Sequence, residues 1–265
     1  MEVAGYISSI FIGIALGLIG GGGSILTVPV LVYIFKIDTL AATAYSLFIV
    51  GATSIVGSIS YFKKQLVNFK TVLVLGIPSI FSVFLTRWYI LPTIPQEIFR
   101  ANGWPVTKNI LLMILFALLM IFASYSMIKK DEKIDESKST VKTQNYQSLF
   151  IKGIFIGLIT GLIGAGGGFL IIPVLVKNLK LSMKMAVGTS LVIISINSLA
   201  GFLFSLSHFN VEWIFAIKIA SLAILGILIG SYLSTKINGE KLKPAFGWFV
   251  LTMGIYIIVK ETIIK

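Results

Sequence analysis

The chain has 265 residues, of which 57% are apolar and 12% charged, with a mean hydropathy of +0.99. A soluble domain carries about twice that charge, so the composition excludes one and points to a polytopic membrane protein with no sizeable aqueous domain. With no cysteine and a single histidine, His208, it also excludes disulfides, thiol catalysis and Cys/His metal clusters, and no cofactor is expected. The net charge of +12 would suggest nucleic acid in a soluble protein. Here most lysines flank apolar runs, where membrane topology and anionic headgroups account for them, so the expected partner is the lipid bilayer and not nucleic acid.

The start has neither a basic n-region nor a small-residue cleavage site, so no signal peptide is expected. Residues 5–19 are apolar, Gly20-Gly21-Gly22-Gly23-Ser24 breaks them, and 24–35 resume with Pro29 one turn in. Four successive glycines lose more backbone freedom on ordering than any other run, which ends a helix. Each piece left over is roughly 20 Å long against a hydrocarbon core of about 30 Å, so neither spans alone. Residues 40–62 are long enough to cross and carry Thr43, Ser46, Thr53 and Ser54. Lys63 to Lys70 is a basic loop, and 71–91 cross with Pro78 as an expected kink. Thr93 to Thr107, with Pro95, Trp104 and Pro105, reads as an interfacial loop, and 109–128 cross. The charges from Lys129 to Lys142 mark a linker. The opening then recurs: 149–163, a break at Gly164-Ala165-Gly166-Gly167-Gly168, and 169–176 with Pro173, followed by spans at 185–207, 213–235 and 244–259.

Over their first stretch the two halves align without a gap at an offset of 144, whereas the last span of each half is offset by roughly ten residues less, which places an insertion in the Pro-rich loop near Pro92 to Pro105. Gly13, Gly17, Gly20, Gly22 and Gly23 match Gly157, Gly161, Gly164, Gly166 and Gly167, and Pro29-Val30-Leu31-Val32 matches Pro173-Val174-Leu175-Val176. Chance apolar likeness does not hold glycines and a proline in register, so the chain is an internal duplication. The expected organisation is a first transmembrane repeat over 1–128, a cytoplasmic linker over 129–148 and a second repeat over 149–265.

Positive charge bears on how the halves are oriented. If each broken segment crosses fully, the basic residues outside the spans divide 11 to 10 between the two sides. If each is a re-entrant hairpin, the loops at 63–70, 129–152, 177–184 and 236–243 share one side with 15, against 6 on the other. The positive-inside rule and the short pieces both favour hairpins. Three full spans per half is an odd number, so the repeats are expected to be inverted, a recurrent transporter design. The expected fold is therefore an all-α polytopic membrane protein with eight hydrophobic segments, each half a Gly-broken helix plus three transmembrane helices.

Three sets of residues are candidates for chemistry. The helix pieces after each break offer N–H groups and a positive dipole end to an anion, at Gly22, Gly23 and Ser24 and at Gly166, Gly167 and Gly168. The glycines also serve close helix packing, as Gly13-x-x-x-Gly17 and Gly157-x-x-x-Gly161 do. The next span of each half supplies hydroxyl and amide donors, among them Ser46, Thr189, Ser190 and Asn197; such hydroxyls also satisfy their own helix backbone. Lys218 lies inside the span 213–235, where it faces a cavity or snorkels to the interface near Glu212. Arg87 reads as an anchor at a span end. No Asp or Glu lies mid-span, which argues against a cation substrate.

The doubled Gly-x-x-x-Gly-x-x-Gly-x-Gly-Gly pattern followed by Pro-Val-Leu, from Gly13 to Leu31 and from Gly157 to Leu175, resembles the sulfite exporter TauE/SafE family of bacterial and archaeal permeases. The first copy departs from it by Gly21 and Ser24. The resemblance covers nearly the whole chain. It implies a secondary transporter of small anions in the cytoplasmic membrane of a prokaryote, without identifying the anion or direction; the expected function is export of sulfite or organosulfonates, and with no cysteine, His208 at a loop edge and no mid-span carboxylate an enzyme is not expected. Some members import such compounds. A passive anion channel of the same architecture and a transporter of another small organic anion stay open, and the Gly-rich helix faces are compatible with a homodimer.

Overall fold

The computed structural model describes residues 2–101, 104–128, 146–207, 209–234 and 239–263. His208 and residues 129–145 of the expected linker lie outside them. The first half begins with α1 (Glu2–Ile19). The second piece, α2, is a 3₁₀ turn over Gly21–Leu26, a helical step at Thr27–Pro29 and a π turn at Val30–Ile34. There follow α3 (Thr39–Lys63), α4 (Phe69–Thr93, with a π turn at Thr86–Ile90) and α5 (Lys108–Ile128). The second half is α6 (Tyr146–Ile163), α7 (Gly168–Leu179), α8 (Met183–Ser205), α9 (Trp213–Leu233) and α10 (Gly239–Thr262). Six of these helices are long and apolar enough to cross a membrane, and the pieces flanking the breaks are shorter apolar helices. The fold is thus all-α apart from one feature read as loop: β1 (Glu97–Ala101) and β2 (Trp104–Thr107) form an antiparallel hairpin between α4 and α5. Helix α6 starts at Tyr146, three residues before the expected repeat boundary.

Both helix breaks come at a glycine in the left-handed region, Gly20 at φ 75° and Gly164 at φ 76°. A residue with a Cβ is disfavoured there, which is why glycine ends the helix at these two places. After the first break the chain comes back to where it began: the rings of Tyr6 and Phe35 meet edge to face at 5.9 Å. In the second half Leu149, near the start of α6, and Leu175, near the end of α7, share a buried cluster with Val72 and Leu75.

The returning pieces end alike. Lys36 and Lys180 take left-handed φ values of 55° and 51°, and the N–H groups of Ile37 and Leu181 donate back to the carbonyls of Leu31 and Leu175 at 3.1 and 3.3 Å. In each, a left-handed residue ends the helix and turns the next N–H back onto it, one residue further back than in a Schellman motif. One residue later Asp38 and Ser182 cap α3 and α8 by accepting from the N–H of Leu40 and Met185. Leu31 and Leu175, Lys36 and Lys180, Ile37 and Leu181, and the caps Asp38 and Ser182 all stand at the offset of 144, and the first two pairs keep the same residue type.

Packing follows the same exchange. Gly13 of α1 abuts Ala223 of α9, and Gly157 of α6 abuts Ser79 of α4; Gly17 meets Gly230 where Gly161 meets Thr86. Each broken helix is therefore seated on a span of the other half, at small residues that let the backbones approach. Helices α3 and α8 pack antiparallel: a Cβ at Gly57 would stand 3.5 Å from Leu191 and one at Gly201 3.0 Å from Leu47. Helices α5 and α10 are antiparallel as well, with Gly247 against Ile128 and Gly254 against Ile121. Large apolar side chains such as Phe11, Phe81, Phe122, Phe155 and Leu203 are exposed, whereas many hydroxyls are buried. That is the distribution expected of a chain whose solvent is hydrocarbon.

Candidate functional site

The two glycine turns meet inside this bundle. A Cβ on Gly168 would fall on the backbone of Gly21, and one on Gly20 would reach Val187 at 2.9 Å. Where the turns touch, the glycines provide close approach of backbone. The first turn also uses groups expected to be free: Gly23 N–H donates to Gly20 C=O at 3.4 Å, and Ser24 Oγ donates to Gly21 C=O at 2.8 Å. Gly22 lies in the same 3₁₀ turn. In the second turn Gly166 faces Val50, Ile194 and Ser198, with Ser198 Oγ 3.0 Å from the Cβ position, and Gly167 packs against Thr160.

The hydroxyl and amide set on α3 and α8 divides in two. Thr189 and Ser190 are occupied: Thr189 Oγ1 accepts from Asn68 N–H at 3.0 Å at the basic-loop end of the bundle, and Ser190 Oγ donates to Val187 C=O at 2.9 Å. Ser46, Ser54 and Ser198 are fully buried, with Oγ unpartnered among the described residues. Asn197 donates its Nδ2 to Ser79 Oγ at 2.6 Å and leaves Oδ1 unpartnered. A buried hydroxyl or amide without a partner costs about 1–3 kcal/mol, and these atoms are concentrated as a polar seam in the interior of α3 and α8. Lys218 is no part of it: the residue is exposed on α9, on the outer surface of the bundle.

The strongest polar group of the seam is one that reads from sequence as an anchor. Arg87 is 2% exposed, held in the π turn of α4 about 9 Å along the axis from Thr93. Its Nη1 donates to Thr43 Oγ1 at 3.1 Å, while Nε and Nη2 have no partner among the described residues. Thr43 in turn donates to Leu40 C=O at 2.7 Å and lies against Gly164 of the second break. A buried ion left uncompensated costs several kcal/mol, far more than any hydroxyl nearby. Lys108, also buried, differs in giving its Nζ to the carbonyl of Leu91. A separate hollow of about 540 Å³ opens beside the start of α3, lined by Phe35, Lys36, Tyr45, Phe209, Glu212 and Phe215 among others, and none of the unpartnered atoms borders it. Among the described residues no cluster of His, Asp or Glu could hold a metal ion.

The model of the sulfite exporter TauE/SafE family matches residues 6–257. The chain belongs to that family. Its relatives include a probable membrane transporter protein of Xylella fastidiosa strain 9a5c, 28% identical over 93% of this chain and 91% of the relative. One from Methanocaldococcus jannaschii is 28% identical over 88% and 84%, and YunE of Bacillus subtilis is 26% identical over 91% of each. No solved structure matches. This TauE/SafE protein is therefore a multi-pass membrane transporter, and its buried polar seam runs between the two halves that the family motif marks.

Proposed function

We propose that this protein is a secondary transporter built of two inverted repeats, exporting small sulfur-containing oxyanions, sulfite or an organosulfonate, across the cytoplasmic membrane of a prokaryote. The observation that carries the reading is the antiparallel packing of α3 on α8 and of α5 on α10. Equivalent helices that face each other head to tail are what a two-fold axis in the membrane plane requires, and that symmetry supports alternating access around a central site. The seam between α3, α4 and α8 supplies donors in a low-dielectric interior, where each is worth more than in water. Because each hairpin is seated on the opposite half, the bodies that rock are composites of both halves.

The test is counterflow of radiolabelled sulfite into proteoliposomes, beside sulfate, sulfoacetate and chloride. Saturable uptake accelerated by internal sulfite supports the reading. Conduction that neither saturates nor exchanges assigns a channel, and absence of flux for every sulfur anion overturns it.

A further inference from the structure

The bond from Arg87 Nη1 to Thr43 Oγ1 occupies one corner of the guanidinium. The atoms left over, Nε and Nη2, share one edge of the plane and project two parallel N–H bonds, the fork that matches two oxygens on one centre. Both atoms are buried and neither has a partner among the described residues. We propose that this edge is the oxyanion anchor of the transport site. A sulfite or sulfonate places two of its oxygens on Nε and Nη2 of Arg87, and Thr43 acts as the positioning residue that aims the fork. The inference rests on the oxyanion-transport reading above and narrows it to one side chain.

Three further features of the place fit that role. The π turn at Thr86–Ile90 interrupts α4, whereas its counterpart α9 is α-helical throughout. A wide turn at a buried charge is a common mark of a functional position. Gly164, at the second helix break, seats Thr43 so closely that a Cβ there would stand 2.7 Å from the Cβ of Thr43, so the break and the Arg87 support are one assembly. The offset of 144 puts Ser231 where the first half has Arg87, so only one half carries the cation. The site therefore takes one anion at a time, off the symmetry axis. A fork of this kind also discriminates: chloride, a single atom, cannot engage both N–H bonds in line, whereas any compact group with two oxygens on one centre can.

The experiment pairs two readouts on purified protein: protection against thermal unfolding by sodium sulfite, methanesulfonate, acetate or chloride, and sulfite counterflow in proteoliposomes. In the native protein, sulfite and methanesulfonate protect saturably and chloride does not. Arg87→Gln, which removes a buried charge, keeps its unfolding temperature without ligand, and loses protection and flux by roughly 30-fold or more in apparent affinity. Arg87→Lys keeps the charge without the fork and raises the KM for sulfite by roughly tenfold, as does Thr43→Val. Protection by acetate equal to that by methanesulfonate keeps the anchor and reassigns the substrate to carboxylates. Arg87→Lys with an unchanged KM, or Arg87→Gln that still transports, overturns the anchor and leaves oxyanion transport standing. Arg87-dependent protection without flux keeps the anchor and overturns transport, and failure of both readouts in the native protein overturns both.

Discussion

Asn197 Nδ2 donates to Ser79 Oγ at 2.6 Å, a side-chain bond from α8 of the second half to α4 of the first with both residues fully buried. Asn197→Ala and Ser79→Ala each strand a buried polar partner and are expected to cost about 1–3 kcal/mol. The double variant should lose less than the two single losses together. Unfolding in detergent followed by tryptophan fluorescence measures this, and strictly additive losses would mean that the bond contributes nothing across the interface.

Lys36 and Lys180 are exposed, stand at equivalent places after the two returning helices, and share a left-handed backbone. If the broken helices are re-entrant and the repeats inverted, these positions lie on opposite sides of the membrane. If the broken segments cross fully, they lie on the same side. The native chain has no cysteine, so Lys36→Cys and Lys180→Cys can be labelled singly in intact and permeabilised cells with an impermeant maleimide. Labelling of Cys at 36 in intact cells, and at 180 only after permeabilisation, is the expected result. Equal accessibility would remove the inverted topology.

Gly164 and Gly76 make a matched pair of tests. Gly164 is left-handed and packed on Thr43, so Gly164→Ala should destabilise by about 1–3 kcal/mol and weaken sulfite flux with it. A Cβ at Gly76, inside α4, would meet nothing within 4 Å. Gly76→Ala should therefore stabilise by about 0.5–1 kcal/mol through helix propensity alone. A reversed order of the two unfolding temperatures would contradict the packing described.

Lys218 on the exposed face of α9 is expected to tolerate Lys218→Gln with sulfite flux within about twofold and stability within about 0.5 kcal/mol of the native protein. A large fall in flux would return this lysine to the site.

What the sequence made legible depended on which residues carry the information. The breaks, the duplication and the family could be read because glycine and proline act through their own backbone, so Gly20, Gly164, Pro29 and Pro173 announce themselves wherever they occur. Arg87 could not be read the same way. A span ending at 91 leaves it near an edge, whereas α4 runs to Thr93, the residue is buried and bonded to Thr43 of α3, and α6 and α8 pack on the π turn that holds it, none of which is visible in the sequence of α4 itself. Lys218 misled in the opposite direction, since a position inside an apolar run says nothing about which way it faces. Ser24 and Ser190 had the right chemistry, but a backbone carbonyl one turn away takes their hydroxyls. The β1–β2 hairpin did leave a signal, the Asn102-Gly103 dipeptide between its strands, which Pro95 and Pro105 outweighed.

The seating of α1 on α9 also sets an order of events during synthesis. Gly13 emerges about 200 residues ahead of Ala223, its packing partner. At about 5–20 residues per second, α1 waits roughly 10–40 s before that partner exists. The first hairpin must therefore be held in the membrane without its native neighbour, its glycine face open to lipid or to the insertion machinery. Helix α6, by contrast, finds α4 already made.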